Sequence, residues 1–297
     1  MEQPLRKLSR YALFICIGVL ISGTVAPAAV EEKANQPATE QIAAIERHIG
    51  GRIGIAVFDT AGGRVFEYHA QDRFLMCSTF KFLAAAAVLK RIDQKQEHLD
   101  RRISYTAADL LEWAPIAREH LREGSMTLDA LCAAAIEYSD NTAGNLLLQT
   151  IGGPAKLTDY VRSLGDNVTR LDRVEPDLNT AIKGDERDTT SPAAMLGDIK
   201  RLLLEDRLSP ESRERLTNWL VANTTGAKRL RSGLPPMWRI GDKTGTGENG
   251  AMGDIAIAWP PNRAPILIAV YLADSTASVE TLNEVFVETA RVIAARF

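Results

Sequence analysis

The sequence predicts an α+β protein: an antiparallel sheet domain with terminal helices, built from both ends of the chain, with an all-helical domain inserted. Two observations carry this. Residues with strand character lie near both ends, while Ser78 to about Leu220 carries apolar residues at spacings of three and four. The late strands also follow one another across short turns, as antiparallel neighbours can, whereas parallel neighbours need a long crossover. The division expected is residues 29–76 and 222–297 for the sheet domain and 77–221 for the helical one. At 297 residues, 45% hydrophobic and 25% charged, the chain suffices for one large domain or two intertwined ones.

In chain order, residues 1–28 read as a secretory signal peptide. Arg6, Lys7 and Arg10 charge its start, Tyr11 to Gly23 is apolar, and Ala26-Pro27-Ala28 offers small residues for cleavage. The apolar run is short for a bilayer span, and Leu13-Phe14-Ile15-Cys16 lacks the small residue found before a lipidated cysteine. Export without a stable membrane anchor is expected, to the periplasm or outside the cell. Residues 29–38 are polar and read as a mobile lead-in. Thr39 then caps a helix with Ile42, Ile45 and Ile49 at helical spacing, ending at Gly50-Gly51. Ile53, Ile55 and Val57 alternate, Ala61-Gly62-Gly63 turns, and Val65 to Tyr68 returns, giving a hairpin. Helical segments such as Leu128–Ala135 and Ala143–Ile151 fill the middle, broken at Gly152-Gly153-Pro154. Strands resume at Trp238–Gly245, Ala251–Trp259 and Ala264–Leu272, and an amphipathic helix over Val279–Phe297 closes the chain.

Net charge is −3 with Lys and Arg scattered, which gives no electrostatic argument for nucleic acid. Cys16, Cys77 and Cys132 are too few for a disulfide framework, and Cys77 and Cys132 read as buried thiols. The four histidines form no close pair and stand apart from cysteine, so no metal or other cofactor is expected.

The chemistry gathers at Cys77-Ser78-Thr79-Phe80-Lys81, which opens a long apolar run. Three residues apart on a helix, Ser78 and Lys81 present a hydroxyl and an amine to one point, a nucleophile beside a base. A helix start adds backbone N–H donors and a field that favours developing negative charge. Taken alone, Ser-x-x-Lys is an ordinary helix start more often than a site. Two further motifs change the odds: Tyr138-Ser139-Asp140-Asn141 in a loop between helices, and Lys243-Thr244-Gly245-Thr246-Gly247 on the first returning strand. With Arg173-Val174-Glu175-Pro176-Asp177-Leu178-Asn179 and Asp185-Glu186-Arg187-Asp188, the sequence resembles the class A serine β-lactamases over essentially the whole chain after its leader.

That resemblance implies a hydrolase that opens the lactam amide of penicillins and cephalosporins through a serine acyl-enzyme and confers antibiotic resistance. Ser78 attacks the carbonyl. Lys81, or Glu175 through a water, is the acylation base. The backbone N–H groups of Ser78 and Thr246 hold the oxyanion, and Ser139 passes a proton to the departing nitrogen. Residues 173–188 match the Ω-loop, closed by an Arg173–Asp188 ion pair with a cis peptide before Pro176. Glu175, with Asn179 holding the same water, is the deacylating base. Asn141 binds the substrate side-chain amide, and Trp113 stands where the family has an aromatic wall, against the reading of an ordinary core tryptophan.

The substrate carboxylate is expected at Lys243, Thr244, Gly245 and Thr246. Many members add an arginine on the next strand, but that position is Met252 here, and Arg229 falls where other members carry the compensating arginine. The carbapenem-hydrolysing subgroup pairs a cysteine at position 77 with one at 247, which is Gly247 here, so no active-site disulfide is expected. Thr246, Trp113 and Arg229 lean toward that subgroup and Gly247 away, which leaves the spectrum open. Two rivals remain: a D-alanyl-D-alanine peptidase, which lacks the Glu175–Asn179 pair, and a β-lactam-sensing receptor domain, which does not turn over. The protein is expected to act as a monomer.

Overall fold

The last strand is apolar on both faces, Ile266, Ile268, Val270 and Leu272 interleaving with Leu267, Ala269, Tyr271 and Ala273, which demands cover on two sides, and the fold supplies it. The computed structural model describes, apart from Met1, residues 28–297, with side chains from residue 36. The leader read at 1–28 therefore falls, but for its two ends, outside the described residues, as does Cys16. Residues 1–34 group as one unit and residues 35–297 as a second, which contains everything below but the first residues of helix α1.

In chain order the elements are α1 (Ala28–Ile49), β1 (Arg52–Asp59), β2 (Val65–Tyr68), β3 (Phe74–Leu75), α2 (Phe80–Asp93), β4 (Arg102–Ser104), α3 (Pro115–Glu119) and β5 (Ser125–Thr127). There follow α4 (Leu128–Glu137), α5 (Asn141–Ile151), α6 (Pro154–Leu164), β6 (Thr189–Thr190), α7 (Pro192–Leu203) and α8 (Pro210–Val221). The chain closes with α9 (Leu230–Gly233), β7 (Arg239–Thr246), β8 (Met252–Trp259), β9 (Ile266–Ala273) and α10 (Val279–Ala294).

The five-stranded sheet has the order β2-β1-β9-β8-β7, and each pair is antiparallel. The seam between the two ends of the chain is β1 against β9, in register from Arg52 opposite Ala273 to Asp59 opposite Ile266. One face packs Ile53, Ile55, Val57, Ile268 and Val270 against Ile42 and Ile49 of α1 and Phe286 and Ile293 of α10. The other packs Ile255, Ile257, Leu267 and Tyr271 into the helical layer. At the centre of that layer α2 is buried from Phe80 to Leu89, which is why its run is apolar all round instead of striped.

Four details differ from the sequence reading. Helix α1 begins at Ala28 and passes through Pro37, where a capped start at Thr39 was expected; Ala, Glu and Lys before it are strong helix formers, and proline's fixed φ is compatible with a helix. The pairs β3–β6 and β4–β5 interrupt the helical middle, and strands of two or three residues leave no period to read. The late strands are shifted by one or two residues, to Arg239–Thr246, Met252–Trp259 and Ile266–Ala273. The closing helix ends at Ala294 instead of running on to Phe297.

Between α6 and α7 the chain makes the 173–188 loop. Arg173 Nε pairs with Asp188 Oδ2 at 2.5 Å, Asp188 Oδ1 accepts from the N–H groups of Asp172 and Arg173, and the Glu175–Pro176 peptide is cis. The strand pair Phe74 opposite Thr190 ties the end of the loop to the segment that leads into Ser78.

Candidate active site

Ser78 stands in a 3₁₀ turn, Cys77–Thr79, one turn ahead of α2, and Cys77 before it takes a positive φ of 45°. That left-handed turn is costly for a non-glycine residue and is held by the close passage of β7. A Cβ on Gly245 would lie 2.8 Å from Met76 O and 3.0 Å from Ser78 N, so β7 can approach the Ser78 amide only with glycine there.

Ser78 Oγ is 2.9 Å from Lys81 Nζ and 3.0 Å from Glu175 Oε1. Lys81 Nζ is itself 3.0 Å from Glu175 Oε1, and neither side chain is exposed. Lys81 also donates to Ser139 O at 2.9 Å and Asn141 Oδ1 at 2.6 Å. Burial lowers the Lys81 pKa, opposed chiefly by the Glu175 carboxylate. Room for its side chain comes from α5: a Cβ on Gly144 would sit 2.7 Å from Lys81 Cε.

Glu175 is fixed from three sides. Asn179 Nδ2 donates to its Oε2 at 2.5 Å, while Asn145 donates to its backbone carbonyl and accepts from its backbone N–H, each at 2.9 Å. Across the cleft Lys243 Nζ donates to Ser139 Oγ at 3.0 Å and to Thr244 O at 2.7 Å. Burial, with Lys81 close by, pushes the Lys243 pKa well below its ordinary value. Ser139 has a φ of 56°, and the following Asp140, buried, caps α5 through Ala143 N and holds the start of α3 through Ile116 N and Ala117 N.

Ser78, Ser139, Asn141 and Asn179 line a cleft of about 320 Å³ with Trp113, Thr225, Arg229, Thr244, Gly245 and Thr246 on its walls, and Lys81, Glu175 and Lys243 are buried behind them. Trp113 is 57% exposed, its Nε1 on Tyr138 O, so it is no core residue. Arg229 is buried: Nη1 donates to Gly245 O and Gly253 O, Nε to Asn283 Oδ1, and Nη2 to Thr246 Oγ1 at 2.6 Å. Among the described residues no group of three or more His, Cys, Asp or Glu is placed to hold a metal ion.

The family model described as the β-lactamase enzyme family matches residues 37–297. The chain is a class A β-lactamase by family. It is 44% identical to β-lactamase OXY-2 of Klebsiella oxytoca over 86% of this chain and 87% of that one. It is 46% identical to β-lactamase AST-1 of Nocardia asteroides over 97% and 94%. The solved structure of the class A β-lactamase of the last common ancestor of Gram-negative bacteria superposes with a TM-score of 0.85 at 59% identity, over 87% of this chain and 98% of that one.

In this β-lactamase the twelve residues singled out from sequence fall around one cleft. Ser78, Lys81, Ser139, Asn141, Glu175, Asn179 and Lys243 are joined by hydrogen bonds or ion pairs, and Trp113, Arg229, Thr244, Gly245 and Thr246 line its walls. Cys77 and Cys132 are free and buried, and burial raises the Cys77 thiol to about 12. Sequence reasoning missed Asn145, which stands one helical turn after Asn141 on the same face of α5; that i+4 spacing was the available signal. It also missed Thr225 and Asn283, whose partners Thr244 and Arg229 are distant in sequence and leave no local trace, and Asn223, which holds Thr225 from two residues before it.

Proposed function

We propose that the chain hydrolyses penicillins and cephalosporins through an acyl-enzyme on Ser78. The observation that carries this is the contact of Ser78 Oγ, at the cleft, with both Lys81 Nζ and Glu175 Oε1, whose side chains are shielded from solvent. Two hydrogens of Lys81 are committed to Ser139 O and Asn141 Oδ1, which can only accept. Whether the third hydrogen sits on Lys81 or has moved to Glu175, the serine proton has a base in contact. The pair therefore acts as the base in acylation.

As Ser78 Oγ adds to the lactam carbonyl, the oxygen gains negative charge, taken up by the backbone N–H groups of Ser78 and Thr246. The C–N bond then breaks as Ser139 gives its hydroxyl proton to the nitrogen and takes in its place the proton that the Lys81–Glu175 pair drew from Ser78, which restores the pair, while Lys243 supports Ser139. Glu175, held by Asn179 and Asn145, then draws a proton from water as that water attacks the ester, and as the ester C–O bond breaks that proton passes to Ser78 Oγ, 3.0 Å from Glu175 Oε1. Asn141 presents Nδ2 to the substrate amide because its Oδ1 is occupied by Lys81. Thr244, Thr246 and Arg229 receive the substrate carboxylate.

Every group in this scheme comes from one chain, which supports action as a monomer. We read the chain as exported without a stable membrane anchor, on the leader pattern of residues 1–28; the described residues include no helix long and apolar enough to cross a membrane. We read 77–221 as the helical domain and 29–76 with 222–297 as the sheet domain, the cleft lying where they meet. The test is hydrolysis of a chromogenic cephalosporin by purified protein and by Ser78→Ala. Turnover by wild type and at least a thousandfold loss in a folded Ser78→Ala supports the reading; activity of the variant within tenfold sinks it.

A further inference from the structure

The cleft wall beside Thr244 has one proton fewer than a carboxylate substrate requires. The Thr225 backbone N–H donates to Asn223 Oδ1 at 3.0 Å, which fixes that atom as oxygen and not amide nitrogen. The Thr225 hydroxyl lies 2.8 Å from the same oxygen, so it too must donate there. A hydroxyl has one hydrogen, and that of Thr225 is now spent. Thr225 Oγ1 and Thr244 Oγ1 are 2.5 Å apart, so the hydrogen between them belongs to Thr244. Thr244 thus turns its proton into the wall and its lone pairs toward the cleft.

We infer that Thr225 is a positioning residue that sets the direction of the Thr244 hydroxyl and so weakens binding of the substrate carboxylate. This rests on the reading above in which Thr244 receives that carboxylate. A carboxylate can only accept, so Thr244 must turn its hydrogen outward to bind it. Three contacts then compete for two hydroxyl protons: Thr225 with Asn223, Thr225 with Thr244, and Thr244 with substrate. One is lost, leaving two oxygens 2.5 Å or 2.8 Å apart with no hydrogen between them. Replacing Thr225 by valine, of the same shape, removes the oxygen that captures the Thr244 proton. Asn223 Oδ1 keeps the backbone N–H of position 225.

The experiment compares wild type, Thr225→Val, Thr225→Ala and Thr225→Ser on benzylpenicillin and on its methyl ester, with thermal melts to verify folding. The expected result is a rise in kcat/KM for the free acid, through a lower KM, in both Thr225→Val and Thr225→Ala. The rise is about 2- to 10-fold, the worth of one neutral hydrogen bond. Thr225→Ser, which keeps the oxygen, stays with wild type, and the ester gains less than twofold in all. A fall or no change for the free acid in the folded variants overturns the inference, as does an equal gain on the ester. If wild type hydrolyses neither compound, the proposed function falls and this inference with it; if wild type turns over and only the gain is missing, this inference alone falls.

Discussion

At the scale of single residues, Glu175 is the group that, on the proposed function, separates an enzyme from a covalent trap. Its Oε1 touches both Ser78 and Lys81 while its Oε2 is held by Asn179, so its two oxygens face different tasks. Removing the carboxylate leaves Lys81 beside Ser78 and takes away the group that activates water. In Glu175→Ala, intact-protein mass spectrometry after mixing with a penicillin should show a persistent adduct of the whole drug. Deacylation should be slowed by about 10²–10⁴-fold, the usual worth of a general base. Normal turnover by that variant would make Glu175 an ordinary loop carboxylate. An adduct that persisted for hours on wild type would favour the receptor or peptidase reading.

At the scale of elements, the site depends on α5 giving way to α2. A methyl at Gly144 would reach within 2.7 Å of Lys81 Cε, and Lys81 is enclosed by Ser78, Ser139, Asn141 and Glu175. The side chain must therefore shift. Overpacking of this kind costs about 1–3 kcal/mol of stability, whereas displacing a catalytic group by about 1 Å can cost about 100-fold in rate. For Gly144→Ala the expected outcome is a folded protein, melting several degrees lower, with kcat/KM down about 100-fold. Full activity with an unchanged melt would mean that α5 and α2 can separate freely. A helix-interior glycine read from sequence alone is only a weak spot in a helix, and the partner that explains it comes from another element.

At the scale of the whole molecule, the junction of the α6 end with α7 makes stability depend on pH. Asp198, with no exposed surface, has its pKa pushed up to about 9 by burial, with the Asp166 charge and their mutual hydrogen bond adding to it and Arg201 opposing. Unfolded, the same carboxyl titrates at about 3.9. Between those values the folded protein holds a proton that the unfolded chain has lost. The stability it contributes is complete below about pH 4, drains as pH rises and levels off above about 9. Asp198→Asn keeps the shape without the titration. Melting curves from pH 5 to 9 should show the wild type falling relative to the variant, with the gap widest at pH 9. Parallel curves would mean that Asp198 is ionised in the folded protein.

The class of fold, the order of the longer helices and strands, and the residues that gather around Ser78 were legible in the sequence alone, because each leaves a local mark. Strand alternation, helical spacing and the short motifs at 78–81, 138–141, 173–179 and 243–247 are read over a few residues. The implied Arg173–Asp188 pair and cis peptide also appear as expected. Only the tertiary structure decided what depends on chains meeting from afar. It placed Glu175 in contact with Ser78 across 97 positions, braced Glu175 from Asn145, anchored Arg229 on Asn283 of the last helix, and set Thr225 Oγ1 2.5 Å from Thr244 Oγ1. Hydrogen-bond direction and close approach are properties of three-dimensional neighbours, and no local pattern of residue types records which atom will face which.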